Sequence, residues 1–96
     1  MLMEADDHHS RHVAPASDKS VPIDWMPVPP RAELVRVRDY TCDCRETVYE
    51  LCQAGGVRFI RRIKQGDRAP VVEECPTGRA HDIDNLWAQL LSGVAR

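Results

Sequence analysis

The clearest hydrophobic periodicity lies at the C-terminal end of the chain. From Arg79 onward, Ile83, Leu86, Trp87, Leu90, Leu91 and Val94 recur at helical spacing, and Gly93 closes the run. That stripe predicts an amphipathic helix with one core-facing side. Upstream the period shortens to two. In "ELVRVRDYTC", Leu34, Arg36, Arg38 and Tyr40 alternate with Val35, Val37 and Asp39, which predicts a strand. "VRFIRRIK" predicts a second strand, with Val57, Phe59 and Ile63 on one face and Arg58, Ile60, Arg62 and Lys64 on the other; Arg61 interrupts the apolar face. "QGDRAP" supplies a turn through Gly66 and Asp67, and "VVEEC" returns as the partner strand of a hairpin.

The stretch "DCRETVYELCQAGG" carries conflicting signals. Thr47, Val48 and Tyr49 favour strand by propensity, whereas Val48, Leu51 and Cys52 fall at helical spacing. Boundary signals favour a short helix over 44–54. Asp43 is placed to act as N-cap with Glu46 three residues on, and Gly55 or Gly56 can take the left-handed conformation that ends a helix. The expected fold is therefore α+β: a small antiparallel sheet of about three strands, covered by the C-terminal helix.

The first thirty residues differ in composition. They hold five of the seven prolines and three of the four histidines, with few apolar groups to offset the entropy of ordering. Residues 1–20 are expected to be a disordered tail. "VPIDWMPVPP" has Val21, Ile23, Trp25 and Val28 to bury, so residues 21–32 are expected to lie as a Pro-rich extended strap along a single α+β domain over 33–96. An acidic start without an apolar h-region argues against a secretory signal, and no run reaches the length of a membrane span. The expected location is the cytoplasm.

The net charge of −2 conceals a division: residues 31–68 hold nine basic and six acidic groups, while both flanks are acidic. Arginine accounts for eleven of the thirteen basic residues, a bias that a GC-rich genome explains without invoking guanidinium recognition. Arg58, Arg61, Arg62 and Lys64 in the strand and Arg68 in the turn form a candidate nucleic-acid surface on the hairpin. The competing expectation is a solvated sheet face paired with Glu73 or Glu74 across the hairpin. Trp87, Leu90, Leu91 and Val94 are assigned to the core or to a homodimer seam, because six large apolar groups on one helix exceed what three strands readily cover.

Cys42, Cys44, Cys52 and Cys75 are spaced C-x-C-x7-C-x22-C, with His81 as a substitute ligand. Four thiolates can surround zinc, but structural zinc sites favour paired C-x2-C turns, and a reducing compartment keeps such thiols free. Cys42 and Cys44, next to Arg45, are also candidates for oxidation sensing, although a disulfide between them closes a strained ring. His8, His9 and His12 in the tail can collect Cu(II) or Ni(II) incidentally. There is no nucleophile elbow, no H-E-x-x-H and no phosphate-binding glycine loop, so neither an enzyme nor a bound cofactor is expected.

The run "VRVRDYTCDCRETVYELCQAGGVRFIRR" with the closing "LWAQLLSGVAR" resembles small proteins of filamentous actinobacteria and, more distantly, the BldB-like developmental regulators, across residues 33–96. That resemblance implies a small dimeric protein acting in control of transcription or development, and it carries over no functional residue. The two expectations are thus a non-enzymatic regulatory or interaction protein, with a protein or nucleic-acid partner, and a thiol protein that binds zinc or senses oxidation.

Overall fold

The structure is a computed structural model and describes residues 11–96. Five antiparallel strands and one helix follow in the order β1 (Met26–Pro27), β2 (Val35–Tyr40), β3 (Thr47–Ala54), β4 (Val57–Lys64), β5 (Val71–Glu74) and α1 (Ala80–Leu91). They make a single sheet ordered β1-β5-β4-β3-β2. The α+β expectation is met, with five strands in place of three.

One added strand is the expected short helix over 44–54, which is β3. Its eight residues pair one for one with β4, from Thr47 opposite Lys64 to Ala54 opposite Val57. Gly55 and Gly56 form the two-residue connection, and Gly55 has φ 59°, the positive value that a glycine-first hairpin turn requires. The glycine pair therefore turns a hairpin instead of ending a helix. Asp43 lies in the turn before β3 and caps nothing helical. Helical spacing misled here because β3 is covered on both faces. Tyr49, Leu51, Cys52 and Ala54 are all buried, so the strand reads as a nearly continuous apolar run.

The other added strand, β1, comes from the Pro-rich strap and pairs with β5 at the far edge of the sheet. Because β2 forms the opposite edge, residues 28–34 must cross the whole sheet. They cross on the face that holds Cys52 and Phe59. The Arg31 guanidinium lies 4.2 Å from the centre of the Phe59 ring, and Glu33 comes close to Gly55. Arg31 also grips the Glu74 carboxylate through both nitrogens, at 2.9 and 3.3 Å, and Arg61 reaches the same carboxylate at 3.4 Å. Glu74 is 1% exposed, so its charge is held almost wholly by these two cations.

The opposite face of the sheet carries α1. Leu51 and Ile60 are paired neighbours, and Ile83, Trp87 and Leu90 are the buried residues of the helix in the same core cluster. Arg58, on the Ile60 face of β4, holds both oxygens of Asp84 on the helix at 2.6 and 2.7 Å. Gly93, at φ 84°, ends the helical segment as expected, and a Cβ there would collide with the Pro15 carbonyl oxygen. Trp87 and Leu90 are core residues and Leu91 is half-buried. Val94 lies beyond the helix and is 48% exposed, while Ala95 is the buried one.

The strict alternation expected of β2 is broken by a bulge. The register passes from Val37 opposite Cys52 to Asp39 opposite Leu51, so Arg38 is unmatched. Asp39 thereby moves to the helix face, where its Oδ2 accepts a 3.1 Å hydrogen bond from Trp87 Nε1.

The expected disordered tail over 1–20 divides in two: residues 1–10 lie outside the described residues, whereas residues 11–20 are hydrogen-bonded to the end of the helix. Ala14 N–H donates to Leu91 O at 2.8 Å, and Ser17 N–H to Gly93 O at 2.9 Å. Val21 N–H then donates to Val94 O at 2.8 Å. Val13, Ile23 and Trp25 pack against the core cluster, and Trp25 Nε1 donates to Arg96 O at 2.8 Å. The chain's own segment thus packs beside the helix stripe that suggested a second copy, while Val94 of that stripe stays 48% exposed. Among the described residues, no helix is long and apolar enough to cross a membrane.

Two substitutions test this packing. Glu74→Ala leaves Arg31 and Arg61 partly buried without their shared anion, and should cost about 3 to 5 kcal/mol in urea unfolding. Trp87→Ala should cost a similar amount, about 3 to 5 kcal/mol, through the lost indole and the cavity it leaves. Replacing exposed Arg68 by alanine should change stability by less than about 0.5 kcal/mol.

Candidate metal centre

The loop between β2 and β3 is tied at both ends. Thr41 N–H donates to Tyr49 O at 2.9 Å, and the buried Thr41 hydroxyl accepts from Tyr49 N–H at 2.9 Å. Cys42 N–H then donates to Arg11 O at 3.0 Å, which joins the loop to the N-terminal segment. The backbone turns at Asp43 and Cys44, so Cys42 is buried and Cys44 exposed.

The residue after Arg11 is His12. Its Nε2 lies 3.1 Å from Cys44 Sγ, and its Nδ1 lies 3.5 Å from an Arg45 nitrogen. A guanidinium can only donate, so this contact makes Nδ1 the acceptor and leaves the neutral ring's proton on Nε2, directed at the sulfur. The ligating atoms of His12, Cys42 and Cys44 all lie within 4.8 Å of one another. Tetrahedral zinc at about 2.3 Å from sulfur and 2.0 to 2.1 Å from nitrogen needs ligand separations of about 3.6 to 3.8 Å. The separations present, up to 4.8 Å, exceed those values by about 1 Å at most, and coordination through Nε2 requires the imidazole proton on Nδ1. Beside the cluster opens a cleft of about 370 Å³, whose lining includes His12, Thr41, Cys42, Arg45, Tyr49 and Arg96.

Electrostatics separate the four cysteines. A hydrogen bond with Cys42 is the main influence pushing the Cys44 thiol up, burial adds to it, and Arg45 pulls the other way. Burial pushes the Cys52 thiol up to about 11, and burial also raises that of Cys75. Cys75 Sγ accepts from Ile60 N–H at 3.1 Å and donates to Pro76 O at 3.3 Å, the part of a small, satisfied core residue.

The four-cysteine zinc set is therefore not assembled. Cys52 faces the strap, Cys75 follows β5, and neither joins the cluster formed by Cys42 and Cys44; His81 instead stands 3.4 Å from Asn85 on the helix. The member of the cluster that sequence reading passed over is His12, which was assigned to incidental tail chemistry together with His8 and His9. Those last two lie outside the described residues.

The expected cationic face of the hairpin is largely consumed by ion pairs. Arg58 pairs with Asp84, Arg61 with Glu50 and Glu74, and Arg62 with Glu73, while Arg62 also stacks 4.5 Å over the Trp25 ring. Only Lys64 and Arg68 of the candidate surface are exposed. The cross-strand pairing with Glu73 and Glu74 prevailed because the register sets Arg62 opposite Glu73 and Arg61 opposite Glu74.

No family model, no curated protein and no solved structure matches this chain.

The cysteine environments predict an ordered reactivity. In the native reduced chain the exposed Cys44 should be alkylated first, at a rate restrained by its raised thiol pKa, and the buried Cys52 and Cys75 should react only on unfolding, as peptide mapping after timed quenching will show. Cys52 also makes stability depend on pH. Its folded value lies above the unfolded one, so its contribution is complete below about 9 and is lost as pH rises towards about 11. The alkaline loss of stability in urea midpoints should be smaller in Cys52→Ala than in the parent chain.

Proposed function

We propose that this is a small non-enzymatic regulatory protein whose signal is a thiophilic metal ion, Zn(II) in the first instance, held by Cys42, Cys44 and His12 in a reducing compartment such as the cytoplasm. The carrying observation is the convergence of two sulfurs and one imidazole nitrogen within 4.8 Å from segments thirty residues apart. Thiolate and imidazole ligands suit zinc and discriminate against hard cations such as magnesium and calcium. Three protein ligands leave a fourth position, and the neighbouring cleft admits water or a small ligand to it. The regulatory half of the proposal draws on the resemblance to developmental regulators. The exposed position of Cys44 supports it too, since an ion held at the surface can exchange with its surroundings.

Titration of the reduced full-length chain with Zn(II) against a chromogenic chelator tests this proposal. One ion per chain should bind, with affinity falling as pH is lowered because both thiols must ionise. Cys42→Ser or Cys44→Ser should lower the affinity roughly a hundredfold, taking about 3 kcal/mol per ligand from the whole of a site. Cys52→Ala, and a chain with His8→Ala and His9→Ala, should bind as the parent does. Undiminished binding after loss of both Cys42 and Cys44 would refute the proposal.

A further inference from the structure

We infer that metal bound by His12, Cys42 and Cys44 acts as a latch that fixes the N-terminal segment 11–25 onto the body of the protein. The inference rests on reading the cluster as a metal centre. Two of its ligands belong to the β2–β3 loop, which is built into the sheet, and the third belongs to a segment that contributes no strand until Met26.

That segment is attached at a few separate points. Arg11 O accepts from Cys42 N–H at 3.0 Å, and the Arg11 side chain reaches Asp39 at 3.6 Å. Next come His12 at Cys44, Ala14 at Leu91, Ser17 at Gly93 and Val21 at Val94. Between these contacts the residues are mostly exposed, with Ala16, Ser17, Asp18 and Lys19 all open to solvent. Between the apolar anchors at Val13 and at Ile23 and Trp25, residues 14–20 are held by scattered backbone hydrogen bonds with little apolar burial, and such a stretch opens locally at low cost. Beneath it lie the last carbonyls of the helical region, at Leu91 and Gly93, and the ring of Tyr49, 5.9 Å from Trp25.

A metal ion changes this balance at the beginning of the segment. Opening that carries His12 away from the loop must break a metal–nitrogen bond, whereas the closed state keeps all three ligands. Ligand that binds the closed form alone suppresses opening in proportion to its saturation, about a hundredfold when free metal is one hundred times its dissociation constant. The effect should be greatest next to His12 and fade along the segment, since Val21 has its own bonds to Val94 and Arg96. Metal availability thereby controls whether the carbonyls of Leu91 and Gly93 at the end of α1 are covered.

Amide hydrogen exchange followed residue by residue by NMR tests the latch, using the reduced full-length chain with and without Zn(II), and native mass spectrometry to count bound ions. With one ion bound, exchange at Ala14 and Ser17 should slow by about a hundredfold under the saturation given above, and exchange at Val21 by less. In His12→Ala, an exposed position whose replacement does not threaten folding, the two thiolates still offer a weaker site, and bound metal should leave Ala14 and Ser17 unprotected. Binding of one ion to the parent chain without slower exchange at Ala14 and Ser17 overturns the latch and spares the metal centre. Equal protection in His12→Ala does the same. Failure of the parent chain to take up metal overturns both.

Discussion

A carboxylate shut away from water organises this small protein. Glu74 ends β5, is 1% exposed, and meets Arg31 from the chain that crosses the sheet and Arg61 from β4. Removing such a group from solvent is unfavourable unless its charge is met by well-placed donors. The donors come from segments that must be in place together, so strand pairing on one side of β5 and the crossing above it are satisfied jointly. Arg31 also covers Phe59, which allows the guanidinium to close an apolar face while it neutralises the acid. Glu50 extends the network through Arg61, so charge alternates across three strands over the core.

The crossing determines the rest of the path. With β1 at one edge and β2 at the other, the first part of the chain lies on the helix face and residues 28–34 lie on the opposite face. A sheet that the chain wraps in this way has two buried faces despite possessing only one helix. This accounts for Cys52 and Phe59 being as buried as Ile60 and Leu90 in so short a chain. It also explains why arginine is tolerated in the centre of the sheet: Arg61 and Arg62 stand over the Phe59 and Trp25 rings and meet carboxylates of neighbouring strands, and Arg58 meets Asp84 of the helix.

Much of the architecture was legible in the sequence where burial was one-sided. The helix, with water along one flank, announced itself through Ile83, Trp87 and Leu90; β4, buried on both faces at Phe59 and Ile60, was legible instead through its flanking turns and the arginines interleaved with its apolar positions, and β5 through the turn before it. β3 was obscured by burial on both faces, which replaced alternation with an apolar run and left capping signals to argue for helix. Asp39 was placed on the wrong face because nothing in "VRVRDY" announces a bulge at Arg38; the need to satisfy a buried indole N–H is a tertiary fact. Pairing of the arginines with Glu73 and Glu74 was legible as the competing expectation, since the hairpin sets those strands side by side, whereas Asp84, the partner of Arg58, is identified only by the docking of the helix.

The candidate site shows the same division between local and long-range information. Cys42 and Cys44 are legible as a pair, because two thiols one residue apart share a single loop. Their third companion depends on a low-complexity stretch folding back across the end of the helix, a path held by backbone bonds that composition does not encode. Histidine in a proline-rich, acidic segment carries no mark that separates a ligand from a solvated tail residue. What places it is the hydrogen bond from Cys42 N–H to Arg11 O, which sets the next side chain over the loop. The chemistry of the site and the docking of the segment therefore rest on the same few bonds, and a change in either must be felt by the other.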